Sequence, residues 1–413
     1  MINIKSNCSE NYKSLGGSVL AWTVILFFLL NQVQPLYNTS FSFQRVSFFV
    51  IVLFFVCARR IPFKFDIFTI FLFLISLFLT VYSLLLSFIF DSDFIQTSRF
   101  FHFLVFSLLS PFIVCYLLKD EVRFHKAIVF ASLAQVIFII FTYSSGAFSN
   151  WVFHYIDSGS QILTGARATG LSSSGGAALS VVVSLGALSI LRLSDLNPRI
   201  WHFTALVVIT VSVGLVARTG MLVSLMSLFL LILRGRVSVK GFLGSFAIAI
   251  LLGFAIFDVI KNNPQFFGYT LSWALSVFSG SDQTLNVLLS QDLRELSDKI
   301  LFFGGVGVSN ADGSNASGSD MGYLQTVYAV GVPLGAFFYI IFFLYLLHFK
   351  VGRRDVFFKN FLIFLIFLLE VKEPFIFKYA ISFYVLASIL YMRKVRVIPG
   401  RLSEAVIKSP LPS

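Results

Sequence analysis

Long apolar runs recur along the whole chain, broken only by short polar stretches. Taken as spans they fall at 18–36, 46–58, 67–90, 100–118, 127–143, 171–191, 201–217, 220–233, 241–260, 323–348, 357–371 and 376–392. An α-helix needs about 20 mostly apolar residues to cross a hydrocarbon core. Backbone groups in lipid have to be satisfied within the segment or in a closed barrel. The runs are continuous rather than alternating, so they predict helices. The expected fold is all-α: a polytopic membrane protein of about 12 transmembrane helices, with no internal repeat.

The stretch 201–233 predicts two elements. A single helix of that length would rise about 50 Å against a core of about 30 Å. Two short helices turning at ARTG, Ala217 to Gly220, fit better and leave Arg218 below the membrane surface, facing a protein cavity. A large late loop is expected at 261–322, opening on KNNPQFFGY. Within it Leu285, Leu288, Leu289, Leu293 and Leu296 recur at helical spacing, which predicts an amphipathic helix from Asp282 to Lys299 over the outer mouth. The loop ends in GGVGVSNADGSNASGSDMGYLQ, residues 304–325. A second loop, 144–170, carries His154, Asp157 and Arg167.

Composition and charge sharpen this. Hydrophobic residues make up 57% of the 413 and charged ones 12%, against about 25% charged in soluble domains. So few charges cannot cover a water-facing surface. The net charge of +12 could suggest nucleic acid, but 22 of the 31 Lys and Arg fall on the side that holds the N-terminus. That asymmetry is a topology signal. It predicts cytoplasmic termini, outer loops at 144–170 and 261–322, and no nucleic-acid partner. The polar N-terminus shows no cleavable leader, so the first apolar run is expected to stay as an anchor. The three cysteines, Cys8, Cys57 and Cys115, give neither metal spacing nor a disulfide framework.

Candidate chemistry is sparse. The five histidines share no motif, and no metal site is expected. GGVG at 304–307 begins a nucleotide-like glycine pattern, but no strand precedes it and the pattern is not completed, so a flexible turn is expected instead. Arginines at the outer side are more informative, since an ionisable group in a membrane is costly and guanidinium suits phosphate. Arg218, Arg294 and Arg167 are candidates, with headgroup contact or ion pairs to Asp157, Asp258 or Asp292 as the plain alternatives. Among the acids, Asp320 precedes an apolar helix and fits either a cap or a general base. Asp312 lies in the softer middle of the loop. EVKEP, 370–374, places Glu370, Lys372 and Glu373 in a charged turn, and the two glutamates share a face if the helix extends that far.

The many spans, the large late loop, ARTG between short helices, LFFGGVGVSN and SDMGYLQTVYAVGVPLG together resemble the bacterial O-antigen polymerase family of Wzy type, related to the O-antigen ligases. In topology the resemblance covers nearly the whole chain; in sequence it rests on about 213–233, 290–345 and, more loosely, 365–380. It implies a GT-C-like membrane glycosyltransferase of the bacterial inner membrane, without cofactor or metal, with a periplasmic late loop. The implied partners are undecaprenyl-diphosphate-linked oligosaccharides and the lipid bilayer, with a chain-length regulator and a flippase alongside. By the same resemblance Arg218 and Arg294 hold the donor diphosphate, although Ala217 stands where the family has serine. Asp320 falls where related ligases have a histidine base, and Glu373 is its rival for that role. Arg167, Tyr323, Glu373 and Lys372 are the expected substrate-binding residues, and Trp273 a further sugar-stacking candidate. Rival classes are an O-antigen ligase, a lipid-linked-sugar flippase and a small-molecule transporter.

Overall fold

The computed structural model describes residues 18–37, 41–57, 66–156, 170–173, 175–235, 298–310 and 315–394. Its helices are α1 (Val19–Leu30), α2 (Phe43–Cys57), α3 (Ile67–Ile89), α4 (Ile95–His102), a π-helical segment (Phe103–Leu109), α5 (Ser110–Leu118), α6 (Glu121–Ser144), α7 (Gly146–Tyr155), α8 (Gly176–Leu196), α9 (Ile200–Gly214) and α10 (Arg218–Leu233). They continue with α11 (Asp298–Phe303), α12 (Gly322–Val330), α13 (Val332–His348), α14 (Val356–Glu370) and α15 (Tyr379–Lys394). Among the described residues there is no strand, only the isolated bridges Pro35–Ile156 and Ser309–Asn315. The runs Ile67–Ile89, Ile95–Leu118, Glu121–Thr142 and Gly176–Leu196 are long and apolar enough to cross a membrane, and shorter apolar helices accompany them. The protein is an all-helical, membrane-embedded one.

Its helices sit on the apolar runs, with corrections. The run 323–348 is not one helix: it breaks at Gly331 into α12 and α13. The first part of the stretch 144–170 is helix α7 rather than loop. The expected span 241–260 lies outside the described residues, as does most of the amphipathic segment 282–299.

The side-chain pattern on α3 explains its setting. Phe71, Leu74, Phe78, Val81, Leu85 and Phe88 are exposed, whereas Thr69, Ser76, Ser83 and Ser87 are buried with Leu72, Ile75 and Leu79. A soluble helix would turn its serines outward. Here the large apolar face suits lipid and the small polar face suits close packing. Ser76 satisfies its hydroxyl on the Leu72 carbonyl at 2.8 Å.

The chain divides into two compact units. In the first, running over 1–60 and 122–295, α8 is the central element. It is buried along nearly its whole length and packs against α9 and α10. Its serines donate back to its own carbonyls, Ser180 to Ala177 at 2.8 Å and Ser184 to Val181 at 2.7 Å. Residues 31–37 join α7 and 170–173 through Leu36 N–H to the Tyr155 carbonyl at 3.0 Å and Gln34 N–H to Ser173 Oγ at 2.8 Å. Val33, Val152 and Ile156 form the small core beneath.

The second unit, 61–121 and 296–413, is built on aromatic packing. Phe100 and Phe103 meet Phe338 edge-on, at 5.4 and 5.3 Å between ring centroids, and Phe377 stacks on Phe338 at 5.4 Å. Between α4 and α5 the helix widens into the π-segment. Pro111 follows at the head of α5, and a proline lacks the N–H and crowds the preceding turn, which favours such a widening. Lys359 closes the end of α13, donating to the Leu347 and Phe349 carbonyls at 3.1 and 3.0 Å.

Asp66 caps α3. Its Oδ1 accepts the Thr69 N–H and hydroxyl, both at 2.8 Å, and Oδ2 accepts from Arg393 at 2.9 Å. Partial burial pushes this carboxyl up, but those hydrogen bonds and the Arg393 charge outweigh it and hold the group below its usual range. A lowered folded-state pKa adds stability above the unfolded value, about 3.9, and that stability is lost as pH falls through the folded value. The melting-temperature gap between the native protein and Asp66→Asn is therefore expected to hold steady near neutrality and to shrink below about pH 4. A gap unchanged down to about pH 3 would count against this role.

Candidate functional site

The glycine-rich stretch that looked like a flexible turn is a built loop. Gly305 and Val306 donate their N–H groups to the Ala329 and Tyr328 carbonyls at 3.1 and 3.2 Å. Val308 and Ser309 donate to Asp93 Oδ2 at 2.7 and 2.6 Å, while Asp93 Oδ1 accepts from Ile95 N–H at 2.8 Å and so starts α4. Successive backbone N–H groups of this kind form anion-binding concavities. In this loop the anion is the protein's own carboxylate. Tyr82 adds a bond to the Phe303 carbonyl at 3.0 Å. Asp93→Ala leaves two loop N–H groups without an acceptor and is expected to cost about 2–4 kcal/mol, read as a lower melting temperature and faster proteolysis within 304–320. Unchanged proteolysis would remove Asp93 as the clasp.

Close by in the same unit lies a buried polar cluster centred on Glu370, the last residue of α14. Its side chain is fully buried. Oε1 accepts the Tyr339 hydroxyl at 2.8 Å and Oε2 the Ile376 N–H at 2.7 Å. The Tyr339 hydroxyl also pairs with Thr326 Oγ1 at 2.9 Å, and the Tyr323 ring packs on the Tyr339 ring at 4.7 Å. Tyr323, expected to face sugar, donates its hydroxyl to the Phe367 carbonyl at 3.0 Å and is half-buried. Glu370 thus ties the head of α12, the middle of α13 and the turn after α14.

Glu370 and Glu373 do not share a helix face, because α14 stops at Glu370. Glu373 lies in the turn and forms an ion pair with Lys378, whose Nζ sits 4.5 Å above the Phe375 ring. Lys372 is partly exposed in the same turn. Asp320 is exposed ahead of α12, with Oδ1 accepting from Asn315 Nδ2 at 2.6 Å. It does not cap the helix: the cap position is Met321, whose N–H donates to Ser319 Oγ at 3.2 Å.

In the first unit, Arg218 opens α10 after a turn at Leu215–Ala217, as the ARTG turn predicted. It is half-buried. The head of α10 is held by Ser180 Oγ, which accepts the Gly220 N–H at 3.1 Å. Arg167, Arg294, Asp312 and Trp273 lie outside the described residues. Two residues that sequence reasoning passed over belong with the Glu370 cluster. Asp93 ends the polar DSD just before α4, a cap signal. Arg99 is an ionisable residue at the head of an apolar run, a pattern that marks functional groups in membranes.

No family model, curated protein or solved structure matches the chain. What it does therefore rests on its own residues and on the resemblance they carry.

Proposed function

We propose that this protein polymerises undecaprenyl-diphosphate-linked oligosaccharide repeat units into O-antigen or a related surface polysaccharide. The reaction is inverting glycosyl transfer at the periplasmic face of the bacterial inner membrane, by a GT-C-like protein of about 12 transmembrane helices with cytoplasmic termini. The observation that carries this is Arg218, a half-buried guanidinium at the head of an apolar helix whose first turn is held by a neighbouring helix. Guanidinium suits a diphosphate.

In the transfer, the acceptor hydroxyl oxygen attacks the anomeric carbon of the donor sugar. The bond from that carbon to the phosphate oxygen breaks, and the lipid diphosphate leaves with the electron pair. Arg218 and Arg294 offset the charge that develops on it, the largest share of the catalysis. The acceptor proton goes to Asp320. Asp320 suits this better than Glu373, because Glu373 is engaged by Lys378 whereas Asp320 is exposed and its Oδ1 accepts only a neutral amide, that of Asn315, among the described residues. Arg167, Tyr323, Lys372 and Glu373 bind the sugars, and a chain-length regulator and a flippase act alongside. No metal or cofactor enters.

The test is a gene deletion read on a polysaccharide gel. Loss of a polymerase leaves a single capped repeat unit, which the native gene converts back to a ladder. Arg218→Ala and Asp320→Asn are each expected to cut laddering at least about tenfold, the loss of a little over 1.4 kcal/mol of transition-state stabilisation. Full ladders from both variants would sink the site. Complete loss of O-antigen on deletion would point to a ligase or a flippase instead.

A further inference from the structure

We propose that Arg99 binds ligand, and that the ligand is a neutral polyhydroxylated one, of the carbohydrate class. Arg99 lies in the first turns of an apolar run, Ile95–Leu118, and is half-buried. Guanidinium offers five N–H donors in a rigid fork. Among the described residues it donates to Gln96 Oε1 at 3.3 Å, and the ion pairs found there join other residues. Gln96 is itself almost fully buried, and its Nε2 has no partner among the described residues. A guanidinium with open donors and an orphaned amide side by side are costly features unless something else fills them.

The surroundings say what fills them. Glu370, Asp93 and Glu373 all act on the Arg99 charge. None of them takes its N–H groups, because each is engaged elsewhere: Glu370 by Tyr339 and Ile376, Asp93 by the loop amides, Glu373 by Lys378. They stand around the guanidinium and leave its donors free. The same carboxylates select the ligand. Two unit charges about 5 Å apart exchange roughly 3 kcal/mol at an effective dielectric near 20. An anion's gain from Arg99 is thus cancelled by a single carboxylate at the same range, and Glu370 and Asp93 both act on it, while the charge of Glu373 is met by Lys378. A cation meets the guanidinium first. A neutral sugar accepts from Arg99 through its hydroxyl oxygens without an ionic penalty, and Gln96 Oε1 holds the guanidinium in place.

Arg99 in this role rests on the sugar-handling half of the function proposed above, not on transfer. The experiment is saturation-transfer NMR on the full chain in phospholipid nanodiscs, free of glycoside detergents. The probes are methyl glycosides of glucose, galactose, rhamnose and N-acetylglucosamine, with glucuronate and inorganic pyrophosphate as anionic arms. Arg99→Gln is expected to weaken transfer to at least one neutral sugar about fivefold or more, with thermal melting checked alongside. Should that variant fail to fold, Arg99→Lys keeps the charge and loses the fork, and about a threefold loss is expected. Neutral-sugar signals equal in native and variant protein, or Arg99 dependence confined to glucuronate or pyrophosphate, would overturn the assignment. A chain that still polymerises but binds sugars equally well without Arg99 removes this site alone, whereas a flat polysaccharide gel result with Arg99-dependent binding removes only the transferase.

Discussion

Glu370→Ala is expected to yield little folded protein. The carboxylate accepts from a buried tyrosine hydroxyl and a buried backbone N–H, and it lies within reach of the Arg99 charge. Its removal strands the Ile376 N–H, leaves the Tyr339 hydroxyl only Thr326 and the Gly322 carbonyl, and withdraws a carboxylate from the surroundings of Arg99, a loss of roughly 2–4 kcal/mol. No water from the bulk reaches this fully buried side chain to compensate. The measurement is the monodisperse peak on size exclusion in detergent, together with the melting temperature. Glu370→Gln keeps the shape and one acceptor, so it is expected to recover most of the folded yield. Equal yield and melting for Glu370→Ala and the native chain would show that the cluster does not hold α12, α13 and α14 together.

The second large effect is at Gly331, where α12 gives way to α13. Its φ of 82° and ψ of 162° lie in a region open essentially to glycine alone. A Cβ there would run into the Phe302 carbonyl oxygen. Gly331→Val therefore combines backbone strain of about 1–3 kcal/mol with overpacking of about 1–3 kcal/mol. It also pushes apart the two segments whose approach lets Gly305 and Val306 bond to the end of α12. The control is Gly318→Ala: Gly318 also has a positive φ, of 64°, but a Cβ there would meet nothing within 4 Å. A stability loss at Gly331 no larger than that at Gly318 would mean that the close approach is not what constrains the chain.

Much of this fold was legible because lipid leaves the chain few choices. Apolar length alone located α3, α6 and α14, and the arithmetic of membrane thickness separated α9 from α10 at Ala217. The break at Gly331 was also written in the sequence, as Gly-Val-Pro, but a continuous apolar run masked it. The candidate site was less legible. Asp93 and the amides it holds are more than two hundred positions apart, and no periodicity links a carboxylate to a distant glycine-rich loop. Glu370 and Glu373 looked alike in EVKEP, yet the end of α14 sends one inward and leaves the other in a turn. Arg99 counts in the sequence only as one outer charge among nine, because Glu370 and Glu373, which act on its charge, come from far along the chain.

The π-segment Phe103–Leu109 has a consequence for α4. Each residue of an α-helix turns the chain by about 100°, so a widened turn acts as a phase shifter between the helical turns on its two sides. Gln96 and Arg99 stand on the leading side of that shifter, and Pro111 stands on the trailing side. Deleting one residue from Phe103–Leu109 would keep the span apolar and nearly as long, yet it would rotate the leading turn away from Glu370. The direction in which Arg99 faces is thus set several residues downstream, by a length and not by a contact.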